Sequence, residues 1–88
     1  MVEIKFEKDR NRAIALADGK QIGVCGYTVD GDSWVIDRTW VRKEFGGQGI
    51  ARRLVECVLS EAETAGAVPE ATCSYAVDML EKRKGNHP

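Results

Sequence analysis

Long apolar runs are missing from this chain of 88 residues. No stretch approaches the roughly 18 residues that a membrane-spanning helix needs, and no basic-then-apolar leader opens it, so neither membrane insertion nor secretion is expected. Cysteine is sparse: Cys25, Cys57 and Cys73 are odd in number, widely spaced and outside any CxxC or Cys/His cluster. That excludes a disulfide framework and a structural zinc site, so no metal is expected and the three are read as reduced thiols in a cytoplasm. Histidine occurs once, at His87 in the tail, which removes the commonest internal base. Neither sign of charge dominates: 13 basic residues against 14 acidic ones give a net −1. A globally basic nucleic-acid binder is therefore not indicated.

What is present is enough to fold one unit. Hydrophobic residues are 43% and charged residues 31% of the chain, so burial can offset chain entropy over one domain at residues 1–88. Val2, Ile4 and Phe6 alternate with Glu3, Lys5 and Glu7, the period of a strand with one wet face. Residues 9–11 read as a polar turn. Runs at 13–16, 21–29 and 33–41, separated by Asp18-Gly19 and Asp30-Gly31-Asp32, predict three further antiparallel strands in hairpin succession. Gly23 and Gly26 mark a bulge or a close backbone approach in the third.

After Val41 the period changes. Ile50, Leu54, Val58, Ala62 and Ala65 share a helical stripe with Val55 and Leu59 beside it, predicting an amphipathic helix over 49–65 capped by Gly66. Residues 67–72 are a short strand that Pro69 confines to an edge or a strand start. Thr72 or Ser74 then caps a last helix in which Ala76, Val77 and Leu80 face inward, with residues 85–88 as a frayed tail. The expected class is α+β: a mostly antiparallel sheet, a central helix, a further strand and a C-terminal helix.

Positive charge is concentrated between residues 38 and 53, where Arg38, Arg42, Lys43, Arg52 and Arg53 face Glu44 alone. The same segment runs from a strand through Gly46-Gly47-Gln48-Gly49 into the helix that begins Ile50-Ala51-Arg52-Arg53. At a helix start the first N–H groups lack partners, and glycine lets an anion approach them. A flexible turn with solvated arginines is the plain alternative. Neither a Walker loop nor a GxGxxG dinucleotide fingerprint is matched.

On these residues the chain resembles the GNAT N-acetyltransferase superfamily, in its short stand-alone branch, over residues 20–84. The superfamily's pyrophosphate loop reads Arg or Gln, two variable residues, Gly, one variable residue, then Gly or Ala. Gly49 and Ala51 take the last two places, and Gly46 takes the first, so the resemblance implies main-chain contacts at that first position. Thr39-Trp40-Val41 with Glu44-Phe45 resembles the strand and turn before the loop, with Arg38 where His is common. Thr72-Cys73-Ser74-Tyr75 resembles the branch's last strand-to-helix junction, with Ala71 in place of Pro.

The resemblance implies a minimal GNAT-like acyltransferase that moves acetyl from acetyl-CoA to an amine by direct attack on the thioester. Trp40, Val41, Gly46, Gly47, Gln48, Gly49, Ile50, Ala51, Arg52 and Arg53 are the implied cosubstrate-binding residues. Pantetheine would run along the free edge of the strand holding Trp40 and Val41. Cys73, at a helix start that lowers thiol pKa, is the candidate base or acyl acceptor, and equally reads as a packed core thiol. Tyr75 is the candidate acid for the departing thiolate, or else a half-buried aromatic. Cys25 and Cys57 read as packing residues; Trp34 and Trp40 either line a groove or pack on the sheet. The acceptor is a small amine or a protein amine, the protein a monomer or weak dimer, with no nucleic-acid or membrane partner. Two other classes stay open: a non-catalytic acyl-CoA or nucleotide-binding module, and a protein-interaction domain using Trp34, Trp40 and a strand edge.

Overall fold

In the two-residue turn at Asp18-Gly19 both residues take positive φ, 51° and 80°. That geometry matches the twist of a tight hairpin and fixes the pairing of the strands on either side. In the computed structural model, which describes residues 1–85, those strands are β2 (Arg12–Ala17) and β3 (Lys20–Asp30). β1 (Val2–Glu7) precedes them through a 3-10 turn at Lys8–Arg10, and β4 (Ser33–Val41) follows the turn at Gly31. Then come α1 (Ile50–Ala65), β5 (Val68–Ala71) and α2 (Ser74–Gly85). Gly85 therefore ends a helix, and the rest of the expected tail lies outside the described residues.

The five strands lie in sequence order, β1-β2-β3-β4-β5, antiparallel except for β4 with β5. A parallel neighbour requires a crossover, and α1 is that crossover. Its stripe of Ile50, Leu54, Val55, Val58, Leu59 and Ala62 is buried against Ala13, Ala15, Ile22, Cys25, Tyr27, Trp34 and Ile36 of the sheet. Alanines in β2 leave room for the leucines of the helix. Each aliphatic side chain so buried contributes about 1.5–3 kcal/mol. Phe6, Tyr27 and Trp34 stack at one end of this layer, with Tyr27 and Trp34 centroids 4.3 Å apart. Gly66, at φ 74°, closes α1 by donating to Ala62 and Glu63.

The glycines of β3 serve close approach. A Cβ on Gly23 would stand 3.0 Å from the Trp40 carbonyl oxygen, and one on Gly26 would stand 2.5 Å from the Arg38 guanidinium. Beside Gly26 the β3–β4 register shifts: Gly26 faces Arg38 while Tyr27 faces Ile36, so Asp37 is an extra residue in β4.

Three expectations need correction. Val77 is exposed; Ala76 is buried, and Met79 and Leu80 pack inward, because the short β5 covers only one side of α2. Ala65 is exposed past the end of the sheet. The residue that starts α2 is neither Thr72 nor Ser74: the Cys73 carbonyl accepts the Val77 N–H at 2.9 Å, which makes Cys73 the capping residue.

Candidate active site

Two openings meet where β4 ends. The first is the glycine loop. Arg42 N–H donates to Ile22 O at 2.7 Å and ties the end of β4 to β3. A 3-10 turn at Lys43–Phe45 follows, in which the Gly46 N–H donates to Lys43 O at 3.1 Å. Gly47 and Gly49 then take φ of 79° and 75°, a conformation that L side chains resist. The first helical bond of α1 runs from Arg53 N–H to Gly49 O at 3.1 Å. Among the described residues, the N–H groups of Gly47, Gln48 and Gly49 make no main-chain bond. Those of Ile50, Ala51 and Arg52 are the first-turn donors that a helix leaves free. No acidic residue occupies that first turn, so the positive end of the helix dipole is uncompensated. The loop and the start of α1 border a cleft of about 230 Å³ lined by Val41, Phe45, Gly46, Gly47, Gly49, Ile50, Ala51 and Tyr75.

The second opening lies between β4 and β5. Their pairing stops at Ile36 with Ala71, and the N–H groups of Thr72 and Cys73 both reach the Ile36 carbonyl, at 2.9 and 3.3 Å. Beyond that point β5 turns away into α2, and residues 37–41 of β4 keep β3 alone as a neighbour. Since Arg42 bonds to β3, strand alternation sends the main chain of Trp40 to β3 as well and that of Thr39 and Val41 to the opening.

Cys73 sits in this gap. Its thiol donates to Thr39 Oγ1 at 3.4 Å, and the Thr39 hydroxyl donates to Cys25 Sγ at 3.7 Å. Burial alone pushes Cys73 upward, yet the Thr39 hydroxyl and the main-chain groups of Ala76, Tyr75 and Thr39 outweigh it and hold the thiol below its ordinary range. The main-chain donors at the head of α2 act on the sulfur as they act on a capping hydroxyl. Cys25 is the reverse case: fully buried, it is pushed up to about 11 by burial despite the Thr39 hydroxyl. Burial also raises Cys57. Both of those thiols pack rather than ionise.

The structure thus gathers Val41, Gly46, Gly47, Gly49, Ile50, Ala51 and Tyr75 around one cleft, with Cys73 in the adjoining gap. Other expected residues lie outside it. The Arg53 guanidinium turns to β1, 3.4 Å from Val2 O, and Arg52 pairs with Glu56 at 3.3 Å. Gln48 is exposed. Trp40 is 55% exposed, and since Val41 packs on the core, alternation puts the indole on the opposite face of the sheet. Trp34 is buried in the aromatic stack. Phe45 and Thr39 were missed. An apolar residue inside a charged loop was a signal for Phe45; none existed for Thr39, which meets Cys73 only through β4–β5 pairing.

Among the described residues, no group of His, Cys, Asp or Glu could hold a metal ion, and no helix is long and apolar enough to cross a membrane.

Comparison with known proteins agrees with this geometry. Residues 11–87 match the family model of the GCN5-related N-acetyl-transferases. The NMR structure of a GCN5-like protein from Staphylococcus aureus is 32% identical, with a TM-score of 0.71 over 94% of this chain and 81% of that one. A ribosomal-protein-alanine N-acetyltransferase from Escherichia coli shares the fold at 20% identity and a TM-score of 0.65, over 85% of this chain and 50% of that one. A GCN5-related N-acetyltransferase from Sphaerobacter thermophilus shares it at 23% identity and a TM-score of 0.66, over 70% of this chain. This chain spans only 21% of that protein's length. A search of curated proteins gives no match.

Proposed function

The chain belongs to the GCN5-related N-acetyl-transferase family, and from that premise we propose that it transfers acetyl from acetyl-CoA to an amine. The observation that carries this reading is the run of free N–H groups from Gly47 to Arg52, beside a cleft whose wall includes Val41 at the end of β4. A diphosphate satisfies those donors at the positive end of α1. The pantetheine arm then lies along β4, where the N–H group of Val41 needs an acceptor. The thioester carbonyl on it becomes more electrophilic, because the donor is aimed at the oxygen that gains charge in the transition state. Gly46 contributes its place in the cleft wall only, its N–H being committed to Lys43.

Chemistry follows from position. A neutral amine attacks the carbonyl carbon, a C–N bond forms, and the C–S bond breaks from the tetrahedral intermediate. The amine's proton passes to Cys73, whose depressed pKa suits a base, and Tyr75 on the cleft wall supplies a proton to the departing CoA sulfur. Net products are an amide and CoA thiol. Juxtaposing the reactants is the larger share of the rate. The amine is borne by a small molecule or by an exposed protein group.

A backbone NMR titration with acetyl-CoA, followed by turnover on an amine panel, tests this. The largest shifts are expected at residues 40–41 and 46–53 with Cys73 also moving, and acetyl-CoA is consumed. Shifts scattered elsewhere would refute the site; the mapped shifts without turnover would leave a binding module.

A further inference from the structure

We infer that Thr39 is a positioning residue, its hydroxyl relaying a hydrogen bond from the buried Cys25 thiol to the Cys73 sulfur so that loss of the Cys73 proton is favoured. This rests on the reading of Cys73 as the acting group. One hydroxyl stands between two sulfurs, 3.7 Å from Cys25 and 3.4 Å from Cys73. It has one proton and can donate to only one of them.

With Cys73 protonated, the chain runs from Cys73 S–H to Thr39 O–H to Cys25 sulfur. When Cys73 loses its proton, the hydroxyl turns and donates to the new thiolate. The Thr39 oxygen then accepts from Cys25 S–H, and every polar atom stays satisfied. That reversal needs Cys25 to keep its proton throughout, which burial in the core enforces. The β-branched threonine is stiff about χ1, so its hydroxyl stays between the sulfurs while only the hydrogen moves.

Neighbours converge on the same outcome. From α2 the Tyr75 and Ala76 main chain acts on Cys73, and from β4 the Thr39 main chain does so. Cys57 of α1 disfavours charge on Cys25, whereas Arg38 of β4 favours it; burial exceeds both. The cysteine that keeps its proton thereby supports the one that loses it.

The test is the pH profile of Cys73 alkylation by iodoacetamide, in the full chain carrying Cys57→Ala to leave one accessible thiol. Thr39→Val should move the midpoint up by about one unit, slowing alkylation at neutral pH by roughly tenfold. Thr39→Ser should restore it. Cys25→Ala should shift it upward by less, and the double variant with Thr39→Val should match Thr39→Val alone. An amide NMR spectrum confirms each fold. An unmoved midpoint in Thr39→Val, or no rescue by serine, overturns the relay. Acetyl transfer surviving Cys73→Ala would instead refute the role of Cys73 in catalysis, a separate readout from the thiol profile.

Discussion

β4 is one strand with two unlike halves. Residues 33–36 are paired on both sides, to β3 and β5, and place Trp34 and Ile36 in the core. Residues 37–41 have β3 alone, carry the exposed Trp40, and border the glycine loop. Both halves use the same alternation, and the difference comes from what lies beside them. One half is where the fold is held together; the other is where main-chain donors are left for something else to satisfy.

The contrast breaks most sharply through Ile36. Ile36→Ala is expected to cost about 2–5 kcal/mol in denaturant unfolding, against a few tenths for Trp40→Ala. Comparable losses would show that the open half is as structural as the closed one. Ala51→Glu should do the converse. A carboxylate in the first turn of α1 suits the helix dipole and leaves stability intact, yet it repels a diphosphate, so acetyl-CoA affinity by calorimetry should fall about 100-fold. Unchanged affinity would place the cosubstrate elsewhere.

A pH series sharpens the comparison between the two sulfurs on Thr39. The folded protein keeps the Cys25 proton to about 11, whereas an unfolded thiol loses it from 9.0. Stability should therefore decline between those values, by of order 2 kcal/mol from this group, and Cys25→Ala should reduce the decline by that amount. Cys73 has the opposite sign: its folded pKa is depressed, so its contribution is present above 9.0 and lost as pH falls through the folded value. A smaller effect is expected at the loop, where Gly49→Ala should cost about 1 kcal/mol through its positive φ alone.

How much of this was legible in the sequence divides along the same line. Local order was readable: alternation marked the strands, the stripe from Ile50 to Ala62 marked α1, and Gly66 marked its end. The glycine loop was readable because its chemistry lies within neighbouring residues. What escaped depends on non-local pairing. Nothing near Cys73 announces Thr39, 34 residues earlier, and nothing near Arg53 announces β1. Val77 was misplaced because the extent of the covering strand, not the helical period, decides which side is wet.

The extra residue at Asp37 acts as a change of parity. Ile36 turns its carbonyl toward β5, and Thr39, an odd count further on, turns its main chain to the same side, which an uninterrupted strand could not do. Deleting one residue here would swap odd for even and hand the opening the other set of amides, so the length of this short step cannot drift.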